Sequence, residues 1–399
     1  MIYPANFEEK IGFDRIREQV TALCSTPSAK AKLAEEGFST SADEIERRLS
    51  LMNEMRSLLM LERDFPDGDY PDPAPLVAKI RVEGSYLLAA EADQLRKALV
   101  TVGAIAEFIL GRGGARYPRL WELSRRVTLF PEIVRAIDVI LDDRGEVKDS
   151  ASPELQQVRR AIREREGQAA KRLQQVLQRA KQAGIVDADA VLSVRDGRPV
   201  IPVAAANKRK LQGFIHDESA TGRTFYVEPV EVVEINNELK ELEYAERREV
   251  VKVLSAFTES IRPDAEAIAD AGDYLSSVDM IRAKARWALA NDAGKPILST
   301  DDRLELRTAR HPLLQQTLRA QGREVVPLDL ALDRRKHILV ISGPNAGGKS
   351  VCLKTTGLMQ YLFQCGYPVP ASEVSELPVF RSIFIDIGDE QSIDDDLST

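Results

Sequence analysis

One short stretch of this sequence dictates a local fold: the segment HILVISGPNAGGKSV, residues 337–351. Four apolar residues, 338–341, predict a buried parallel strand. A glycine-rich loop ending in Lys349 and Ser350 follows, and the next twelve residues, CLKTTGLMQYLF, have helical spacing. Strand, loop and helix in this order predict a nucleotide site, because the glycines let backbone N–H groups face phosphates at the helix N-terminus.

The cofactors that this loop predicts are ATP and Mg²⁺. Lys349 can reach the β and γ phosphates, and Ser350 can bind the metal ion. The predicted nucleotide-binding residues are Gly343, Pro344, Asn345, Ala346, Gly347, Gly348, Lys349 and Ser350.

Composition limits what the rest of the chain can be. With 399 residues, 44% hydrophobic and 30% charged, it has the balance of a soluble protein of two to four structural units. We expect a cytoplasmic protein that does not cross a membrane, because the sequence contains neither a leader-like start nor a long apolar run. Three scattered cysteines, Cys24, Cys352 and Cys365, predict neither a disulfide framework nor a zinc site. A net charge of −8 excludes a generally basic nucleic-acid coat, so phosphate contacts would need a local patch.

The first 150 residues and two later segments have helical patterns. Ser152 and Pro153 predict the start of a helix of about thirty residues, roughly 45 Å long. A second long helix is predicted to end before Pro263 and to run antiparallel to the first. The first of the two repeats apolar residues every seven positions, which predicts a seam against one neighbouring helix: Leu155, Ile162, Ala169, Val176 and Ala183.

Residues 191–229, between the two long helices, predict a small β-rich unit. They mix β-branched and aromatic residues with turn signals at Asp196-Gly197 and Thr221-Gly222. A basic cluster of Lys208, Arg209 and Lys210 lies here, with Arg195, Arg198 and Arg223 nearby in sequence. Two interpretations stay open, a solvated surface cluster and a contact with nucleic-acid phosphates at the end of a helical arm.

The motifs around the loop carry a family resemblance. GPNAGGKS, the upstream ARHPLL and VVPLDLAL, and the later QCGYPVPAS together resemble the ATPase domain of the MutS family. Residues 194–243 resemble the clamp and lever of its second bacterial branch. The resemblance implies a multidomain protein, mainly α-helical, with a small β-rich clamp and a partial α/β P-loop ATPase domain of the ABC type. The implied parts are a helical core at 1–152, an outgoing lever helix at 153–185, the clamp at 186–230, a returning lever and core at 231–295, and the ATPase part at 296–399.

The same resemblance implies a function. It points to an ATP-dependent clamp, working as a homodimer, that binds mismatched or branched DNA to restrain recombination. The alternative is a factor that binds rRNA and rescues stalled or collided ribosomes, since a basic cluster serves both polymers. A chromosome-structuring or transporter-like ATPase would instead predict a phosphate loop near the N-terminus or a far longer coiled coil.

The final residues, SIFIDIGDEQSIDDDLST, raise the question of catalysis. Asp386, Asp389 and Glu390 imitate the catalytic carboxylates that follow an apolar strand in such ATPases. The segment also resembles the family's signature region, which precedes the Walker B strand, and Ser398 would then face the nucleotide of the partner protomer. We therefore expect a chain truncated at its C-terminus, without Walker B or a nuclease domain. No catalytic residue is assigned, and turnover by this chain is expected near background.

Two further patterns are weak. Phe7-Glu8-Glu9 matches the Phe-x-Glu element of the mismatch-repair enzyme, but it opens a predicted helix and lacks the preceding domain. His216, His311 and His337 are too scattered to predict a metal cluster. His311 resembles the family's Arg-His-Pro element, for which a structural role and a binding role both remain open.

Overall fold

A computed structural model describes residues 1–195, 197–344 and 348–387 and is mainly helical with small sheets. The helices are α1 (Phe7–Ile11), α2 (Phe13–Ala22), α3 (Pro27–Glu35), α4 (Ala42–Leu61), α5 (Ala74–Ile80), α6 (Ala89–Gly111), α7 (Pro118–Ser124), α8 (Pro131–Ile140), α9 (Pro153–Gln182), α10 (Val230–Ile261), α11 (Ala265–Ala290), α12 (Pro312–Ala320) and α13 (Lys349–Gln364). The strands are β1 (Ile2–Tyr3), β2 (Ser193–Arg195), β3 (Arg198–Ala204), β4 (Gly213–Glu218), β5 (Thr224–Pro229), β6 (Ile297–Leu298), β7 (Leu304–Ala309), β8 (Leu328–Leu332), β9 (Glu376–Leu377) and β10 (Ile383–Phe384).

The chain divides into two compact units. The first comprises Met1–Ala78, Gln94–Pro131 and Asp264–Thr399, and the second comprises Lys79–Asp93 and Glu132–Pro263. The helical prediction for the first 150 residues is confirmed by α1–α8. Among the described residues, no helix is long and apolar enough to cross a membrane.

Helix α11 is central to the first unit and packs against α3 and α4. It is alanine-rich and buried on most of its surface, so its charged residues need internal partners. Asp279, fully buried, accepts hydrogen bonds from the backbone N–H groups of Ser25 and Thr26 at 2.9 and 2.8 Å. Arg282, also fully buried, donates to the other oxygen of Asp279 at 2.8 Å. This ion pair therefore ties α11 to the start of α3.

A four-stranded sheet in the first unit has the order β6-β9-β7-β8. Strands β6 and β9 are parallel, and β7 runs antiparallel to both β9 and β8. The predicted buried strand at 338–341 is wrong for this structure: these residues form no strand, and Ile338 and Val340 are 76% and 83% exposed. An apolar run becomes a buried strand only when neighbours pair with its edges, and no described strand pairs with this one.

The two long helices of the second unit, α9 and α10, are antiparallel, as predicted. Ion pairs join Arg159 to Glu246 and Arg165 to Glu238, at 2.7 and 2.8 Å, so residue numbers rise along one helix and fall along the other. The predicted cap is present, since the Ser152 side chain accepts from the N–H of Leu155 at 3.0 Å. The prediction of a seven-residue seam against one helix is confirmed only in part. Leu155, Ala169 and Val176 are buried and Ile162 is half-buried, but Ala183 is exposed beyond the helix end. Val176 packs in a cluster that includes residues of β3 and β5, so its burial is not due to a neighbouring helix alone.

The predicted β-rich unit is confirmed as an antiparallel sheet of order β2-β3-β5-β4, which we call the clamp sheet. One side of it packs on the second half of α9 through a cluster that includes Leu173, Leu177, Ile201 and Val227. Strand β4 starts at a glycine because a Cβ at Gly213 would lie 2.2 Å from a backbone oxygen of the neighbouring strand. The clamp sheet and this half of α9 therefore share one hydrophobic core.

Candidate nucleotide and nucleic-acid sites

The phosphate loop leads into the N-terminus of α13. Gly348 is the N-cap residue with φ of 77°, a left-handed conformation that favours glycine, and its carbonyl oxygen accepts from the N–H of Cys352 at 3.0 Å. The ammonium group of Lys349 donates to the carbonyl oxygens of Gly343 and Pro344, both at 2.6 Å. Lys349 therefore joins the two ends of the loop. The predicted residues Asn345, Ala346 and Gly347 lie outside the described residues.

The described part of the loop fits a phosphate group. Helix α13 has sixteen residues, and its first N–H groups have no intrahelical acceptor, so its positive end is available to an anion. Apart from the adjoining residues in the chain, no described protein atom lies within 4 Å of the place where a Cβ would stand on Gly343 or Gly348. Lys349 supplies a positive charge at this end, and Ser350 brings a hydroxyl group into the first turn. These residues could hold nucleotide phosphates together with Mg²⁺.

The loop is supported by the buried second half of α13. Tyr361 donates to Glu8 Oε1 at 2.6 Å, which connects this helix to α1. The amide of Gln364 donates to the carbonyl oxygen of Ser39 at 2.9 Å and accepts from the N–H of Phe380 at 3.1 Å. The sequence analysis missed Gln364 and Glu8 as supports. The sequence did contain one indication of this role for Gln364: it is a glutamine at the end of an apolar helical segment, and a buried amide needs hydrogen-bond partners.

The N-terminal strand holds the segment that carries Asp386. Strand β1 pairs in parallel with β10, and the Lys10 ammonium donates to the carbonyl oxygen of Ile387 at 2.9 Å. Asp386 follows β10 and is exposed. Asp389, Glu390 and Ser398 lie outside the described residues, so their assignments stay predictions.

The basic turn, Lys208, Arg209 and Lys210, lies in the clamp sheet between β3 and β4. The Lys208 ammonium lies 4.3 Å from the centroid of the Phe225 ring, while Arg209 and Lys210 are exposed. Asn207 donates from its amide to the carbonyl oxygen of Ile185 at 3.1 Å and so anchors the turn near the end of α9. None of the three cations has a carboxylate partner within the described part of the chain. The turn thus presents adjacent positive charges from a fixed backbone.

Two arginines near the basic turn in sequence are committed to internal contacts instead. Arg195 donates to Asp217 Oδ2 at 2.9 Å and stacks over the ring of Tyr226 at 3.8 Å. Arg198 Nη1 lies 2.9 Å from both carboxylate oxygens of Glu228. Nearness in sequence therefore overestimates the positive charge that this region offers to a ligand, because Arg195 and Arg198 are already paired with carboxylates.

Glu228 is the centre of a buried polar cluster that the sequence analysis did not find. Its side chain is 1% exposed and also accepts from Asn236 and bonds His216, both at 2.6 Å. Burial alone would raise the pKa of Glu228, but the hydrogen bonds from Asn236, His216 and Arg198 outweigh it and hold the pKa below its ordinary value. The carboxylate therefore joins β3, β4, β5 and α10.

The remaining histidines and the Phe-x-Glu match lie in three different environments. His311 is 2% exposed, and burial lowers its pKa to about 4, so it is neutral at neutral pH. His337 is exposed. Phe7 is buried against the Tyr361 ring, with centroids 5.1 Å apart. Across the described ranges, no group of three histidine, cysteine or acidic side chains could hold a metal ion.

Comparisons with known proteins agree with the motifs. The family model for MutS domain V matches residues 339–399. The chain is 34% identical, over 97% of its length, to the protein named Endonuclease MutS2 of Bacillus velezensis, and the alignment covers 48% of that protein. It is 36% identical to Endonuclease MutS2 of Thermomicrobium roseum, with 97% of this chain and 49% of the relative covered. It is 34% identical to Putative endonuclease MutS2 of Bacillus subtilis, with 97% and 48% covered.

The chain spans about half the length of the curated relatives it matches. The likeness nevertheless runs along almost all of this chain, and the matched domain contains the phosphate loop. The chain therefore belongs to the MutS family, in its MutS2 branch.

Proposed function

We propose that this chain is part of an ATP-responsive nucleic-acid clamp of the MutS type. The observation that carries the proposal is the position of Lys349, whose ammonium lies over the carbonyls of Gly343 and Pro344 at the N-terminus of α13. Such an arrangement gives a phosphate both a fixed positive charge and backbone donors. ATP with Mg²⁺ is the ligand we assign to this loop, with Ser350 on the metal ion.

The nucleic-acid side of the proposal rests on the clamp sheet. The basic turn offers three cations to a phosphate backbone, a contact that contributes affinity without reading sequence. We assign mismatched or branched DNA as the target, with restraint of recombination as the result, and a homodimer as the working form. The relatives are named endonucleases, but we assign no nuclease residue in this chain.

Ribosome binding and rescue is the competing proposal. It would use the same cations on rRNA phosphates, so the binding surface does not separate the two targets. We therefore place duplex RNA beside duplex and branched DNA in every binding measurement. Tighter binding to RNA than to either DNA would contradict the DNA assignment.

The nucleotide site is tested by replacing Lys349→Ala, with Lys30→Ala as an exposed control in the same unit. Titration with a fluorescent ATP analogue and Mg²⁺ should show measurable binding by the unchanged chain and by the control, and at least about tenfold weaker binding by Lys349→Ala, because a charge-assisted hydrogen bond contributes about 1.5–3 kcal/mol. Equal affinities of Lys349→Ala and the unchanged chain would remove the site assignment.

The basic turn is tested by replacing Lys208, Arg209 and Lys210 together with Ala. DNA binding should weaken, and its salt dependence should become less steep by about 0.9 in the logarithmic slope for each lost phosphate contact. The loss should be similar for unrelated sequences, because backbone contacts carry no base information. An unchanged salt slope would show that the basic turn does not contact phosphates and is a solvated surface cluster.

A further inference from the structure

A second positive surface lies on α9, outside the basic turn. Residues 167–186 contain four cations and no carboxylate, although the whole chain carries a net charge of −8. Lys171, Arg172 and Arg179 are all exposed. We call these three the helix face. This positive charge is confined to one part of the chain, because a segment with the average composition of this acidic protein would also contain Asp or Glu residues.

The first half of the same helix behaves differently. Each of its arginines has a carboxylate partner within 3.0 Å: Arg159 with Asp149 and Glu246, Arg160 with Glu164, Arg163 with Asp149, and Arg165 with Glu238. In the described residues, no carboxylate partners the three cations of the helix face. Their charge is therefore not neutralised within the protein.

The helix face lies opposite the buried side of α9. Leu173, Val176, Leu177 and Ala180 pack into the clamp-sheet core, and the cations occupy the other side of the helix. Exposed amides lie between and just beyond them: Gln174, Gln175, Gln178 and Gln182. Amides donate hydrogen bonds as well as accept them, so the whole face can bind anionic oxygens.

Helix stability explains only part of this pattern. Cations near a helix C-terminus interact favourably with the macrodipole, which accounts for Arg179 and for Lys181, whose ammonium donates to the carbonyl oxygen of Ala188 at 2.8 Å. Lys171 and Arg172 lie about two turns before Arg179, beyond the reach of that effect. The helix macrodipole therefore does not explain the presence of Lys171 and Arg172 on this face.

We propose that the helix face binds the phosphate backbones of duplex DNA, as a second contact beside the basic turn. Lys171 and Arg172 are separated from Arg179 by about 12 and about 10.5 Å along the helix at 1.5 Å per residue. Those distances are close to the width of the B-DNA major groove, about 12 Å, so the two groups can reach phosphates on its two edges. This inference rests on the proposed function in taking nucleic acid as the ligand.

Two other nucleic acids fit this surface less well. A-form RNA has a narrow major groove, which does not match the spacing. Single strands are held by stacking on aromatic rings, and residues 167–186 contain none. Asn207 anchors the basic turn to residue 185, just beyond the end of α9, and both surfaces belong to the second unit, so they can act on the same duplex.

The test compares three forms of the chain. The first is unchanged, the second carries Lys171→Gln, Arg172→Gln and Arg179→Gln, and the third is a control with Arg160→Gln, Arg163→Gln and Arg165→Gln. Both triple variants lose three positive charges at helical positions, and glutamine preserves helix propensity. Circular dichroism checks the fold, and Lys171→Glu alone provides a smaller change. The probes are fluorescein-labelled DNA and RNA duplexes of about 30 base pairs, roughly three helical turns, followed by fluorescence anisotropy over a salt series.

Loss of three phosphate contacts should reduce the logarithmic salt slope for DNA by about 2.7. Between about 50 and 200 mM salt, the variant should then lose about 40-fold less affinity than the unchanged chain loses. Lys171→Glu should reduce the slope by about 1 or more, and the control triple should stay close to the unchanged chain. Binding to duplex RNA should be weaker and less dependent on the helix face.

Several results would overturn the inference. If the basic-turn variant flattens the slope and the helix-face variant does not, the helix face is not a DNA contact, while the proposed function stands. An equal loss in the control triple would mean that only net charge matters, and an equal dependence of RNA binding would remove the assignment to DNA. Self-association lost in the helix-face variant, with DNA binding unchanged, would assign the face to a second copy of the chain. No DNA binding by the unchanged chain would defeat the proposed function itself.

Discussion

Replacing Glu228 by Gln should loosen the clamp sheet while leaving the first unit intact. Glutamine keeps the shape of the side chain, but one of its terminal atoms becomes an NH₂ donor. Because Arg198 Nη1 lies 2.9 Å from both oxygens of Glu228, this donor faces the guanidinium group whichever way the amide turns. The variant therefore loses at least one charge-assisted hydrogen bond and leaves Arg198 without its counter-charge.

The expected cost follows from burial. Glu228 is 1% exposed, and breaking a buried ion pair costs about 3–5 kcal/mol. The Arg198 side chain is 24% exposed, so water compensates part of the loss and the lower end applies, about 3 kcal/mol. A loss of that size accelerates hydrogen exchange by local opening about 100-fold.

The assay must report on the two units separately. The two tryptophans, Trp121 and Trp287, both belong to the first unit, so tryptophan fluorescence follows that unit alone. Hydrogen exchange measured by mass spectrometry on peptides from β3 to β5 follows the clamp sheet. Glu218→Gln, on the exposed end of β4, is the matched control. A rise in β5 exchange below about fivefold, or one equal to the control, would refute this account of Glu228.

The same carboxylate predicts a pH dependence. The pKa of Glu228 is lower in the folded chain than its ordinary value of 4.5, so its stabilisation is present above that pH and is lost as the pH falls through the folded-state pKa. Protection of the clamp sheet should therefore decrease below pH 4.5 in the unchanged chain, and less so in Glu228→Gln. An identical acid profile in the two forms would contradict the role of the ionised carboxylate.

Two glycines should respond to alanine in opposite ways: Gly366→Ala should destabilise the first unit by about 2–4 kcal/mol, because φ is 70° and the new Cβ would lie 2.5 Å from Arg48 Cβ. Gly167→Ala, in α9 with open space around it, should stabilise by about 0.5–1 kcal/mol, and thermal unfolding of both variants measures the contrast. Cys24 should resist alkylation at neutral pH, since burial raises its pKa to about 12, whereas the half-buried Cys352 should react first. Peptide mapping after brief iodoacetamide treatment would show the order, and rapid labelling of Cys24 in the folded chain would refute it.

Features with local causes were predictable from the sequence. The start of α9 follows from Ser152 and Pro153, because a cap and a first-turn proline act within one helical turn. The strands of the clamp sheet follow from β-branched residues and turn signals a few positions apart. The Gly348-Lys349 junction likewise marks the beginning of α13, since glycine tolerates the left-handed conformation that the junction needs.

Features that depend on distant partners were decided only by the tertiary structure. The apolar residues 338–341 have strand-forming composition, yet a strand needs neighbours to hydrogen-bond, and no described strand pairs with them. Arg198 and Lys208 look alike in sequence, but Glu228, thirty residues beyond Arg198, pairs with Arg198 and not with Lys208. Ion pairing and burial are set by which segments meet in space, and short-range patterns do not contain that information.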